Sequence, residues 1–120
     1  MKGYRKLQVY EKSYRLVVEI YRITQRLPKE ELYAMTSQIR RAAASIPLNI
    51  AEGYAKRESQ AEFKRYLMMA LGSNAEMNVL LDLVKDLSYI SKAEYDTFKS
   101  AYEEVGKMIT TLTKRVEERI

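Results

Sequence analysis

Ser45-Ile-Pro-Leu-Asn-Ile-Ala-Glu-Gly53 and Leu71-Gly-Ser-Asn-Ala-Glu76 lie inside two long helix-like patterns, yet each contains residues that helices disfavour. Relative to alanine, a helix interior loses about 3 kcal/mol at a proline such as Pro47 and about 1 kcal/mol at a glycine such as Gly53 or Gly72. Something other than local helix formation sets these positions. A residue without a side chain lets a neighbouring backbone approach, so close contacts are expected at Gly53 and Gly72. Pro47 frees the carbonyl of Ala43 and is expected to kink its helix.

Outward from these segments, apolar residues recur at alternating spacings of three and four. A first helix is expected from about Leu7 to Leu27, with Leu7, Tyr10, Tyr14, Val17, Tyr21 and Thr24 as its apolar stripe and Pro28 as its stop. A second starts near Thr36 or Ser37, carries Ile39, Ala43, Ile46, Ile50 and Tyr54 on one face, and frays by Glu58. Ser59-Gln-Ala-Glu62 and Ser91-Lys-Ala-Glu94 have the form of capping boxes, in which hydroxyl and carboxylate satisfy the orphan amides of a helix start. They open a third helix striped by Phe63, Leu67, Ala70, Asn74, Met77, Leu81 and Val84 to about Leu87, and a fourth striped by Tyr95, Phe98, Tyr102, Val105, Ile109, Leu112 and Val116. There is no strand signal, domain boundary or low-complexity tract. Short connections favour antiparallel neighbours, so the expected fold is all-α, a single domain over 1–120 forming an antiparallel up-down-up-down four-helix bundle.

Arg40-Arg-Ala-Ala-Ala-Ser-Ile-Pro-Leu-Asn-Ile-Ala-Glu-Gly-Tyr54, Glu62-Phe-Lys-Arg-Tyr-Leu67 and Ala70-Leu-Gly-Ser-Asn-Ala-Glu76 resemble the four-helix-bundle proteins encoded by intervening sequences within bacterial 23S rRNA genes. A related branch is the accessory variability protein of diversity-generating retroelements. The resemblance spans nearly the whole chain and implies a homopentameric barrel. It also implies two functional outcomes: the retroelement branch binds nucleic acid and a reverse transcriptase, while the intervening-sequence branch has no established biochemical role.

Composition narrows the function classes. The 120 residues include no cysteine and no histidine, which removes disulfides, thiolate zinc sites, a cysteine nucleophile and the commonest acid/base and metal ligand. Glu52 and Glu76 invite a metal reading, but carboxylate-bridged metal pairs in bundles need Glu-x-x-His on two helices. Ser45 and Ser73 have no base in either motif, and Gly72-Ser73 lacks the pattern of a phosphate loop. No enzymatic activity and no cofactor are therefore expected. The longest apolar run, Tyr66 to Leu71, is far below the roughly 20 residues that span a bilayer, and no signal-peptide segment follows Met1. A cytoplasmic protein without membrane contact is expected.

At about 100° per residue, the second helix presents two apolar faces: the core arc and a small-residue strip of Ala44, Leu48, Ala51 and Ala55. The third adds Met68, Leu71, Leu80 and Leu83 outside its stripe. A helix that is apolar on all sides is a buried helix, so a homo-oligomer is expected, its interface drawn from Ala44, Leu48, Ala51, Ala55, Met68, Leu71 and Gly72. A generous monomer core is the plain alternative. Between the faces of the second helix runs a polar strip: Gln38, Arg41, Ser45, Asn49, Glu52 and Lys56. It faces a lumen, a buried hydrogen-bond network or solvent. Arg41, Asn49, Glu52 and Glu76 are read as structural polar residues, with Lys56 the local partner of Glu52.

Charge is uneven. Residues 1–30 hold eight Lys/Arg against three Asp/Glu, a balance of +5 that equals the net charge of the whole chain. Arg5, Lys12, Arg15, Arg22, Arg26 and Lys29 fall in one arc opposite the first helix's apolar stripe, with Lys2 and Lys6 extending it. Such a ridge suits the phosphates of RNA or DNA; a solvated basic face is the alternative, and Glu11 and Glu19 interrupt it. The preferred reading is a non-enzymatic homo-oligomer that holds nucleic acid through its phosphates. Its rival is a protein-interaction scaffold, such as an accessory subunit of a reverse transcriptase.

Overall fold

A computed structural model of the chain describes residues 3–118, Lys6 through its backbone alone. They form a rod of 48 × 24 × 23 Å made of four helices: α1 (Gln8–Thr24), α2 (Ser37–Ala55), α3 (Gln60–Asp86) and α4 (Lys92–Glu117). A 3-10 turn at Gly3–Lys6 precedes α1. A second, Lys29–Glu31, and one turn of π-helix, Leu32–Thr36, lead into α2. No strand occurs among the described residues, and the fold is the expected four-helix bundle.

The helix ends follow their sequence signals with one exception. At α4 the capping box is complete: Ser91 Oγ accepts from the Glu94 amide, and the Glu94 carboxylate accepts from the Ser91 amide. At α3 only half of it forms. Ser59 Oγ accepts from the Glu62 amide at 3.2 Å, but the Glu62 carboxylate takes Arg65 instead, at 2.9 and 3.2 Å. A guanidinium offers that carboxylate two charge-assisted hydrogen bonds, and the Ser59 amide is already satisfied by the Lys56 carbonyl. α3 ends with Ser88 in the left-handed region (φ 64°), where the Tyr89 amide reaches back to the Val84 carbonyl at 2.8 Å, closing the helix as glycine more often does.

Contacts between helices come in a fixed order. Ser45 meets Ser73 and Lys56 meets Tyr66 across α2 and α3. Gln60 meets Val116, Asn74 meets Tyr102, and Asp82 meets Tyr95 across α3 and α4. As numbers rise on one helix they fall on its partner, the order that antiparallel neighbours give. The expected core of α2 and α3 is buried at Ile39, Ala43, Ile46, Ile50, Phe63, Leu67, Ala70, Asn74, Met77, Leu81 and Val84, while Tyr54 at the end of α2 is half-buried. Phe98, Tyr102, Val105, Ile109 and Val116 complete it from α4.

α1 differs from its sequence reading. Its buried residues are Val9, Ser13, Ile20 and Thr24, whereas Tyr14 and Tyr21 are 54% and 45% exposed. The inward face is rotated by about a quarter turn from the tyrosine stripe. Tyrosine hydroxyls favour a wet edge, and the small Ser13 and Thr24 are tolerated inside because their hydroxyls donate to the Tyr10 and Ile20 carbonyls.

Small residues at helix crossings decide how closely the helices approach. A Cβ on Gly53 would stand 2.8 Å from Tyr66 Cβ and 3.3 Å from the Phe63 carbonyl oxygen, so the expected close contact is real there. At Gly72 it is absent: nothing lies within 4 Å of a Cβ placed on this residue, which is exposed within the subunit. Leu80, expected outside the core stripe, is buried beside Leu81, as Tyr66 is beside Leu67 two heptads earlier. Pro47 is buried within α2, which continues as helix through it to Ala55.

Two alanine substitutions test this division. Gly53→Ala must displace a Cβ rather than a mobile side-chain tip, and is expected to destabilise by about 1–3 kcal/mol in urea unfolding, the range typical of overpacking. Gly72→Ala, in open surroundings, is expected to stabilise by up to about 1 kcal/mol through helix propensity. Equal effects of the two would remove the distinction.

Candidate nucleic-acid interface and assembly faces

The rotation of α1 carries its basic arc toward α4 and into contact with carboxylates. Lys12 Nζ lies 2.8 Å from Glu104 and Arg26 Nη2 2.7 Å from Glu94, both on α4. Arg15 pairs with Glu11 at 2.7 Å, and Arg22 with Glu19 at 2.9 Å, within α1 itself. Of the expected ridge, Arg5 and Lys29 have no carboxylate in ion-pair reach among the described residues. Lys2 lies outside the described residues, as does the side chain of Lys6. Exposed pairs of this kind are worth about 0–1 kcal/mol each, so a phosphate can replace the carboxylate at small cost, but the resting field along α1 is largely neutralised.

The Arg26–Glu94 pair joins α1 to α4 at the capping box. Glu94 is held at about 2, below its ordinary 4.5, by the Arg26 guanidinium first and the Ser91 amide second. Further along the α3–α4 seam, Asp82 accepts from the Tyr95 hydroxyl and from Lys99. Both lower the Asp82 carboxyl, while the carboxylate pushes Tyr95 up to about 12.

Five cations without an ion-pair partner among the described residues gather elsewhere. Arg5 precedes α1, Lys56 and Arg57 follow α2, and Lys114 and Arg115 close α4. The helix order places all of them at one end of the rod, where Gln60 at the start of α3 donates to the Val116 carbonyl and Leu7 and Arg115 border one groove. Three of them are seated on rings: Arg57 lies 4.2 Å from the Tyr54 ring centre, Lys56 4.9 Å from that of Tyr66 and Arg5 5.9 Å from that of Tyr4. Lys56, expected to pair with Glu52, instead donates to the Tyr66 hydroxyl at 3.0 Å. Sequence reading missed this cluster because its members belong to three separate helices and none forms a periodic stripe; only the common end of the bundle unites them.

The polar strip of α2 divides into two parts. Ser45 Oγ meets Ser73 Oγ at 2.8 Å, and Asn49 donates to both the Ser45 carbonyl and its hydroxyl, at 2.8 and 2.9 Å. This is a hydrogen-bond network on the α2–α3 seam. Gln38, Arg41, Glu52 and Lys56 are exposed. Arg41, Glu52 and Glu76 make no hydrogen bond or ion pair with described residues, and no metal-binding cluster of acidic residues occurs among them.

Of the expected interface residues, Leu48 is 61% and Met68 40% exposed. Ala55 and Gly72 are also exposed, and Ala44, Ala51 and Leu71 are half-buried. Ala44, Pro47, Leu48 and Ala51 form one wall of a groove of about 280 Å³ whose other wall is Tyr4, Tyr10, Tyr14 and Val17. Met69, Val79 and Leu83 continue the open apolar surface on α3. No described helix is long and apolar enough to cross a membrane.

The family of 23S rRNA-intervening sequence proteins matches residues 5–111. Among solved structures, the chain is similar to a protein of unknown function from the S23 ribosomal protein family of Bacteroides thetaiotaomicron VPI-5482. The identity is 29% and the TM-score 0.80, over 88% of this chain and 95% of the other. No curated protein matches the chain.

The depressed Glu94 carboxyl favours the folded state wherever it is ionised. That contribution is complete above pH 4.5 and is lost as pH falls through about 2. Replacing Arg26 by Gln is expected to raise the Glu94 midpoint toward 4.5, with the Ser91 amide retaining part of the depression. Carboxyl-carbon NMR titration measures it; a midpoint still near 2 would show that Arg26 is not the cause.

Proposed function

The chain belongs to the 23S rRNA-intervening sequence protein family, and we propose that it acts as a non-catalytic subunit that assembles with copies of itself and holds nucleic-acid backbones through their phosphates, without reading bases. The observation that carries this reading is the group of cations at one end of the rod that no described carboxylate pairs: Arg5, Lys56, Arg57, Lys114 and Arg115. Lysines and arginines that replace condensed counterions gain affinity without needing base contacts, and tyrosine rings lie beneath Arg5 and Arg57. The α1 cations join them at the cost of breaking exposed pairs. Assembly, with five copies implied by the resemblance, is supported by the open apolar faces of α2 and α3 and multiplies weak patches into avidity. A family named for rRNA and a neighbour classed with ribosomal proteins favour RNA as the first probe.

Two triple variants that remove equal charge separate the end cluster from the α1 ridge. Arg57→Gln, Lys114→Gln and Arg115→Gln together are expected to weaken binding to a short RNA duplex strongly and to flatten its salt dependence, by about one unit of slope for each phosphate that is no longer engaged. Arg15→Gln, Arg22→Gln and Arg26→Gln, already paired in the free protein, are expected to weaken it less. Fluorescence anisotropy over a salt series decides. Binding that is undetectable at low salt, or that is indifferent to both triples, would favour a protein-interaction role.

A further inference from the structure

The rotation of α1 leaves a run of aromatic rings along its outer edge. Tyr10, Tyr14 and Tyr21 fall within about 40° of one another around the helix. Tyr4, in the turn before α1, packs edge-on against Tyr10 at 4.7 Å between ring centres, and Tyr14 follows Tyr10 at 5.9 Å. Tyr14 is 54% and Tyr21 45% exposed. Across the α1–α2 groove, Ala44, Pro47 and Ala51 are short side chains that leave the rings uncovered, with the exposed Leu48 beside them. No carboxylate lines this groove.

An arginine stands at each end of it. Arg5 lines an adjoining hollow with Tyr10, Glu11 and Tyr14, and belongs to the basic end of the rod that Lys56 and Arg57 share, so the groove opens onto that cluster. At the far end, Tyr21 on α1 and Arg40 on α2 each lie one turn beyond the lining residues Val17 and Ala44. The Arg40 guanidinium is 4.6 Å from the Tyr21 ring centre and donates to the Thr24 hydroxyl and the Tyr21 carbonyl. Neither arginine has an ion-pair partner among the described residues. Glu11, the one carboxylate of the hollow, is taken by Arg15 at 2.7 Å. Glu52 follows Ala51 but lies one heptad from Ser45, on the side of α2 that meets Ser73 of α3.

We propose that this groove receives a single strand of RNA, its bases stacked on Tyr14 and Tyr21 and its phosphates passing from the Lys56–Arg57 end over Arg5 toward Arg40. A duplex keeps its base faces in its own stack, so only an unpaired strand can use the rings. Every base has a π-face, so stacking of this kind adds affinity without reading sequence. An apolar protein segment would fill the same walls but leave Arg5 and Arg40 without counter-charge, which a phosphate chain supplies along its length. The strand occupies Ala44 and Ala51 and leaves Met68, Met69, Val79 and Leu83 of α3 open for assembly. This inference rests on the phosphate-binding reading and narrows its ligand to unpaired strands.

Two comparisons by fluorescence anisotropy, both on the full chain, test it. In the first, the wild type meets a labelled oligouridylate and an abasic strand of the same length, which keeps the phosphates and lacks the bases. The abasic strand is expected to bind about tenfold more weakly or worse. In the second, Tyr14→Leu and Tyr21→Leu are combined, with circular dichroism confirming the fold. Oligouridylate binding is expected to weaken by about tenfold or more, while its salt slope and the affinity for a short RNA duplex stay unchanged. Tyr14→Phe with Tyr21→Phe, which keeps both rings, is expected to bind as the wild type does. An abasic strand held as tightly as the intact one, or a leucine variant that binds oligouridylate undiminished or loses the duplex equally, would overturn the stacking site and leave phosphate binding intact. A leucine variant whose assembly mass changes in light scattering would assign the groove to a second copy instead. Failure of the wild type to bind any of these RNAs at low salt would overturn both readings.

Discussion

The near contact of α2 and α3 is the constraint on which the rest of this structure depends. Gly53 leaves its Cβ position empty against Tyr66 and Phe63, and further along the seam the Ser45 and Ser73 hydroxyls bond directly across it. Small side chains at both points let the two backbones come close, and the isoleucines of α2 then interdigitate with Leu67, Met77 and Leu81. Pro47 and Gly53 weaken α2 as an isolated helix but suit it as the inner member of a pair. α1 and α4 pack around this hairpin, and their orientation is set by what it leaves uncovered.

One consequence is electrostatic. With Val9, Ser13 and Ile20 turned inward, α1 brings Lys12 and Arg26 within reach of Glu104 and Glu94, and an arc of positive charge becomes a set of ion pairs. A cluster of unpaired charge stands instead at the end of the rod where α1 starts, α2 stops and α4 finishes, with Lys29 and Arg41 unpaired away from it. The other consequence concerns assembly: packing that consumes one face of α2 and one of α3 leaves Arg41 and Leu48 on the first, and Met68, Val79 and Leu83 on the second, open to solvent.

The bundle is legible in the sequence because apolar spacing and capping signals in α2, α3 and α4 agree with one another, a consistency across levels that specifies a fold. The rotation of α1 is not, since its tyrosines carry apolar area and a polar hydroxyl and satisfy a stripe pattern whether they point inward or along a wet edge. The Glu62 half of the α3 capping box is lost to Arg65, a competitor three residues away that the motif ignores. Gly106 and Asn74 are opaque for a different reason: the glycine's purpose is visible only when the amide beneath it is in place, and that amide belongs to another helix. Gly53 and Gly72 look alike in sequence, yet only one meets a neighbour within the subunit.

The central claim, that the α2–α3 pair organises the bundle, is tested most directly by native-state hydrogen exchange. The amides of Ala42 to Ile50, Pro47 aside, and of Leu67 to Leu81 are expected to be the slowest in the chain, exchanging only through global unfolding, while α1 and the outer turns of α4 open at lower free energy. Protection that peaks in α1 or α4, with α2 opening first, would contradict the account.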